Sequence, residues 1–200
     1  MIKYNDLVKA HKNKEIKLDK TYIELILPIK DTWSELDSII DFVRRWNSRV
    51  PIGKNKGKIK KVVLSLKSKF KYFKNSTLET FDFSEKNVSI IKDIFDKLYK
   101  IKLKSTMTTR LLKSTGTSKL LHGINPNLFV MWDKGICEYY GCYQNSAGYV
   151  LFLKLMQEEA KAILKEQKKE IILQQLKRTI PKLIDEYNWI HYRTSKSIKK

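Results

Sequence analysis

Cysteine is nearly absent from this 200-residue chain. Only Cys137 and Cys142 occur, spaced C-x4-C with no histidine cluster beside them. Structural zinc and iron–sulfur centres draw on four ligands at characteristic spacings, so the pair reads as small, partly buried side chains, with no metal and no cofactor expected. Residues 1–15, MIKYNDLVKAHKNKE, lack the apolar core and small-residue cleavage site of a secretory signal. With so little cysteine, this points to a reducing, cytoplasmic setting.

Long apolar runs are missing as well. The stretch 149–156 is broken by Lys154 and falls far short of the roughly 20 residues that a membrane span needs, so no membrane partner is expected. The one G-x-x-x-G, at 53–57, has neither a following Lys-Ser/Thr pair nor a preceding strand, which disfavours nucleotide hydrolysis. No G-x-S-x-G elbow is present to organise a triad from His122, Asp133 and the serines. No internal repeat is visible.

Acidic residues are the scarcest charged class: 21 against 41 lysines and arginines, for a net charge of +20 and a pI near 9.8. The imbalance is clustered. Residues 44–74 hold twelve basic side chains and no carboxylate, among them Arg44, Arg45, Lys58, Lys60, Lys61 and Lys69, interleaved with Trp46, Phe70, Tyr72 and Phe73. After Asp96 the next carboxylate is Asp133, and between them lie Lys97, Lys100, Lys102, Lys104, Arg110, Lys113 and Lys119. Such a surface neutralises phosphates and releases counterions without reading a base sequence, and cations alternating with aromatics suit backbone tracking with base stacking. Nucleic acid, DNA in preference to RNA, is the expected partner. An RNA- or ribosome-associated role has the same electrostatics.

With 42% hydrophobic and 11% aromatic residues, the chain can build a core of one helical domain, or of two tightly packed subdomains (about 1–100 and 101–190) followed by a basic tail, 191–200. The patterns are mainly α. The spacing of Trp33, Leu36, Ile40 and Val43 predicts a helix from Asp31 to about 49, and Ile59, Val62, Val63, Leu66 and Phe70 predict one over 58–72. Asp82 and Glu85 resemble a capping arrangement ahead of a third. Residues 15–29 fit a strand as well as a buried helix, so a short N-terminal strand pair stands beside the helices. A helix through Leu111 and Leu112 is expected to meet a glycine turn at 114–117 and then a short helix, 118–123. After the break at Asn125-Pro126, Asp133 sits where a side-chain cap would open the next helix. Two final helices run over 152–163 and 172–187, interrupted at Pro181.

Helix, glycine turn, helix is a ready phosphate clamp, because the second helix presents free amide donors. The run TGTSKLLH followed by NPNLFVMWDKGI resembles the helix-hairpin-helix DNA glycosylase superfamily over about residues 110–141. The resemblance implies that Thr115, Gly116 and Thr117 form the hairpin, with Ser118, Lys113 and Arg110 beside the phosphate. It implies that Lys119 is the hairpin-helix lysine and Asp133 the catalytic carboxylate, with Trp132 or Phe129 lining a base pocket. Asp133 would then stabilise a cationic sugar transition state while Lys119 attacks C1′. The chain departs from the family hairpin in keeping one glycine of two, and it lacks cluster cysteines.

Overall fold

The computed structural model describes residues 1–13, 20–48 and 50–193. Among the described residues there are eleven α-helices: α1 (Tyr4–His11), α2 (Lys20–Leu25), α3 (Leu36–Trp46), α4 (Lys56–Ser65), α5 (Lys67–Tyr72), α6 (Glu85–Tyr99), α7 (Lys113–Ile124), α8 (Lys134–Tyr139), α9 (Ser146–Glu166), α10 (Lys169–Leu176) and α11 (Ile180–Arg193). A single two-stranded sheet, β1 (Lys102–Lys104) with β2 (Thr109–Leu111), separates α6 from α7. The mainly helical class with a short strand pair is the architecture of the protein. The pair lies at mid-chain, and 20–25 is helical; residues 14–19 of the ambiguous N-terminal stretch lie outside those described, as do 194–200 of the basic tail. No helix among the described residues is long and apolar enough to cross a membrane.

Helix boundaries follow local chemistry. Asp31 does not open α3; its carboxylate accepts the Trp33 and Ser34 amides (3.4 and 3.1 Å), forming a turn five residues ahead of the helix, and those bonds, Trp33 first, hold its pKa below the usual value. The helix expected over 58–72 is two, broken at Leu66. Asp82 serves a turn rather than a cap, accepting Ser84 N–H at 3.0 Å. Chain reversal before α11 occurs at Lys177, which is left-handed (φ 50°). Pro181 itself lies in the first turn of α11, where its missing N–H costs nothing.

The core forms where α6, α7 and α9 enclose residues 125–133, a turn at 126–128 followed by irregular backbone without helix or strand. Trp132 packs against Phe95, Tyr149 and Phe152, and Leu128, Phe129, Val130 and Met131 are all buried. The segment is tied to its surroundings by side chains: the Tyr149 hydroxyl donates to Val130 O (2.9 Å), the Asn125 amide donates to Phe73 O (2.8 Å), and His122 Nδ1 donates to Phe129 O (2.6 Å). Burial drives the His122 pKa down to about 3, so the ring is neutral and Nδ1 carries its proton. Helix α7 crosses α3 closely at Gly123, where a Cβ would come within 2.6 Å of Ile39 Cγ2; glycine lets the two backbones approach.

Candidate nucleic-acid interface

The segment between α6 and α7 is a β-hairpin, not the helix expected there. Lys102 pairs with Leu111, Leu103 with Arg110 and Lys104 with Thr109. Flanking bonds run from Ser105 N to Thr108 O (2.7 Å) and from Leu112 N to Ile101 O (2.9 Å). Bonded and non-bonded pairs alternate in an antiparallel ladder, so both backbone polar groups of Lys104 face outward. The Asn55 side chain meets them: it accepts Lys104 N–H at 3.0 Å and donates to Lys104 O at 2.9 Å, while also donating to Pro51 O at 2.6 Å. Asn55 precedes α4, in the basic loop. One amide side chain thus fastens the two carboxylate-free windows of the sequence to each other.

That staple shapes the charge. Asn55 is the N-cap residue of α4 but spends its side chain on the hairpin, leaving the α4 start without a side-chain cap. On the other side of the ribbon, α7 also starts without one. Lys113 at that start is left-handed (φ 58°) and exposed. The hairpin therefore lies between two helix starts whose first amides carry partial positive charge. Lys54, Lys58, Lys61, Lys100, Lys102, Lys104 and Lys113 are exposed, and none has an ion-pair partner among the described residues. Several other cations singled out from sequence are matched by acids from elsewhere in the fold. Arg44 and Lys56 hold Asp41 (2.9 and 2.6 Å), Arg45 reaches Glu24 (3.1 Å), Lys60 reaches Asp37 (2.8 Å), and Lys69 shares Asp93 with Lys97 (2.5 and 3.1 Å). Burial alone would raise the Asp41 pKa, but hydrogen bonds from Lys56 and Arg44 hold it below the ordinary carboxylate value.

The glycine-turn expectation is corrected. Residues 114–117 are the first turn of α7 itself, and no helix precedes them. Their polar groups are consumed by the interior: Thr117 Oγ1 donates to Lys113 O (2.7 Å), Ser114 Oγ to Gln144 Oε1 (3.0 Å) and Ser118 Oγ to Trp132 O (3.2 Å). Gly116 is covered by the Leu112 side chain. Of the predicted clamp, Lys113 and Arg110 are exposed, Thr115 is half-buried, and the others are buried. Trp132 and Phe129 line no pocket; both are fully packed core residues, and the Trp132 indole donates to Ser114 O at 3.3 Å. Of the aromatics interleaved with the basic window, Phe70 and Phe73 are core, whereas Tyr72 is 52% exposed with Lys86 over its ring at 5.2 Å. Asp133 does cap α8, accepting Ile136 N–H at 3.0 Å.

Lys119 lies in the second turn of α7, half-buried, donating to Trp46 O (2.8 Å) with its ammonium over the Trp46 ring at 5.6 Å. Around it is a buried ionic cluster that the sequence patterns did not reveal. From α11, Lys182 sits over the same indole at 4.5 Å and over Tyr22 at 5.2 Å, and reaches Asp185 at 3.1 Å and Glu186 at 3.7 Å. Glu186 also holds His11 of α1 (2.9 Å) and faces Arg178 (3.5 Å). Burial pushes Lys119 down to about 8; the charges of Asp185 and Asp133 oppose that shift and Lys182 adds to it. Burial likewise pushes Asp185 up to about 6 against the pull of Lys182. Of the two predicted catalytic residues, Asp133 is thus among the charges that act on Lys119. The spacing of Lys182, Asp185 and Glu186 along one face of α11 is the signal that could have located the cluster.

No family model, curated protein or solved structure matches the chain. Chemistry has to be read from the geometry alone. Among the described residues no three histidine, cysteine or acidic side chains converge where they could hold a metal ion. The exposed lysines, by contrast, fall in two segments that the Asn55 side chain joins.

Proposed function

We propose that this protein binds nucleic acid through the face built by the α4 start, the hairpin and the α7 start. The observation that carries this reading is the Asn55 staple, which joins two acid-free segments whose Lys54, Lys58, Lys102 and Lys104 have no ion-pair partner among the described residues. Cations retained for stability pair with nearby acids, as Lys56, Lys60 and Lys69 do. Cations left unpaired beside uncapped helix starts attract polyanions instead, through phosphate neutralisation. Titrating a fluorescein-labelled 20-base-pair duplex into the protein tests it. Binding should weaken by at least about 100-fold between 50 and 200 mM salt, and an affinity indifferent to salt would remove the reading.

A second reading is favoured by one observation: Lys119, its pKa lowered by burial to about 8, counts Asp133 among the charges that act on it. An amine that loses its proton near neutrality is a competent nucleophile toward a sugar C1′, and a neighbouring carboxylate stabilises cationic character there. This is the base-excision reading, with or without abasic-site lyase activity. Duplexes carrying uracil, 8-oxoguanine, an alkylated base or an abasic site, with borohydride trapping, separate the two. Excision lost in Asp133→Asn, and trapping lost in Lys119→Ala, with binding retained, supports catalysis. Intact binding with no excision on any duplex leaves a binding protein.

A further inference from the structure

The hairpin carries a feature that phosphate binding does not use. Its root is rigid: Leu103 is fully buried, Ile101 and Leu112 nearly so, and Asn55 fixes Lys104. Its turn is closed on itself, since Ser105 N–H donates to Thr108 O, Thr108 N–H donates to Ser105 Oγ at 3.1 Å, and the two hydroxyls meet at 3.0 Å. The loop thereby projects Met107, which is 92% exposed. Charge and apolarity are sorted along the ribbon. Lys102, Lys104 and Arg110 lie on the stem, Lys100 and Lys113 at its two ends, and Thr106 and Met107 at the tip are uncharged.

A loop kept only for connection has no reason to hold a large apolar side chain out in water on a stiff, cationic support. Proteins that deform duplexes divide the work in this way: cations grip the backbone and an unbranched or apolar side chain enters between base steps. A two-stranded ribbon fits a groove of B-form DNA, whereas the deep, narrow major groove of A-form RNA excludes it. One methionine buries too little apolar surface to anchor to a bilayer unaided.

We infer that the 102–111 hairpin is a wedge for double-stranded DNA, its lysines on the phosphates and Met107 inserted between adjacent base pairs. The inference rests on the nucleic-acid reading above and adds the duplex class and the inserting residue. Insertion unstacks and locally unwinds the helix, so it is read without knowing any target sequence.

The test uses the full chain and a closed circular plasmid relaxed by a topoisomerase in its presence, with occupancy measured separately on a labelled duplex. Wild-type protein should leave the plasmid underwound in proportion to the amount bound. Met107→Ala should lose most of that change at equal occupancy, while its affinity falls by no more than about ten-fold, since unstacking itself costs a few kcal/mol. Met107→Leu should retain it. Tight duplex binding without unwinding, or unwinding unchanged in Met107→Ala, overturns the wedge and leaves the polyanion reading standing. Absence of any nucleic-acid binding overturns both. A preference for single strands or for anionic vesicles, dependent on Met107, also overturns the wedge and assigns the hairpin to that partner.

Discussion

Two sets of cations in this molecule are treated in opposite ways. At and just before α11, Lys182 and Arg178 are buried, and each faces a carboxylate of that helix. On the hairpin face, Lys54, Lys58, Lys102 and Lys104 are exposed and have no ion-pair partner among the described residues. A buried ammonium costs several kcal/mol unless it is matched, so the interior set is balanced by structural necessity. The exposed set meets no such requirement and remains unbalanced, although the fold supplies acids to neighbouring Lys56, Lys60 and Lys69. What separates a structural charge from a binding charge here is the partner it has been given, not its place in the sequence.

The sharpest way to break the comparison is to remove one interior cation. Lys182→Ala leaves Asp185 and Glu186 buried without their ammonium and should cost about 3–5 kcal/mol, a drop of roughly 10 °C in Tm for a chain of this size by thermal unfolding. A loss within about 0.5 kcal/mol, the range of an ordinary surface substitution, would mean that the cluster is not structural. Reversing the exterior set, Lys54, Lys58, Lys102 and Lys104 to Glu, should leave Tm nearly unchanged and weaken duplex binding by about 100-fold or more, measured by anisotropy at low salt. Asn55→Ala lies between the two regions. It orphans both polar groups of Lys104, so it should cost about 1–3 kcal/mol and lower affinity as well, because the two halves of the face lose their registration. Smallest of all, Lys60→Ala, which removes a paired surface cation, should change stability by less than about 1 kcal/mol and affinity less than Lys58→Ala does.

Acid acts on the interior through His122. His122 is held neutral by burial, with a native pKa of about 3 against an unperturbed 6.5. Its folded pKa is depressed, so its contribution is intact above 6.5 and is lost as pH falls toward 3, where the unfolded chain takes up a proton that the native state refuses. Tm measured across that window should fall, and the fall should be smaller in His122→Asn.

Much of the fold was legible because it rests on periodicity and caps. Leu36, Ile40 and Val43 mark α3, the Asn125-Pro126 break ends α7, and Asp133 caps α8 as its position before an apolar residue required. The hairpin was not legible. Its tip reads Ser-Thr-Met-Thr with no Asn-Gly, and neither Thr106 nor Met107 adopts positive φ, so it gives none of the usual turn signals. Its strands are three residues long, too short for alternation to stand out. Reading a helix there produced the glycine turn at 114–117, and with it clamp residues that the structure buries. Lys119 and Asp133 were found by local motif, but the α11 charges that also act on Lys119, Asp185 and Lys182, come from more than sixty residues away. No local pattern reports such a contact.

What is proposed is that the unpaired face, and not the total charge, binds nucleic acid. It is tested most directly by the salt dependence of duplex affinity in two variants of equal net charge, Lys54→Glu/Lys58→Glu/Lys102→Glu/Lys104→Glu and Lys30→Glu/Lys154→Glu/Lys165→Glu/Lys168→Glu. The first should lose about four phosphate contacts, reducing the slope of log affinity against log salt by about 3 to 4, while the second keeps the wild-type slope. Equal slopes in the two variants would contradict the account.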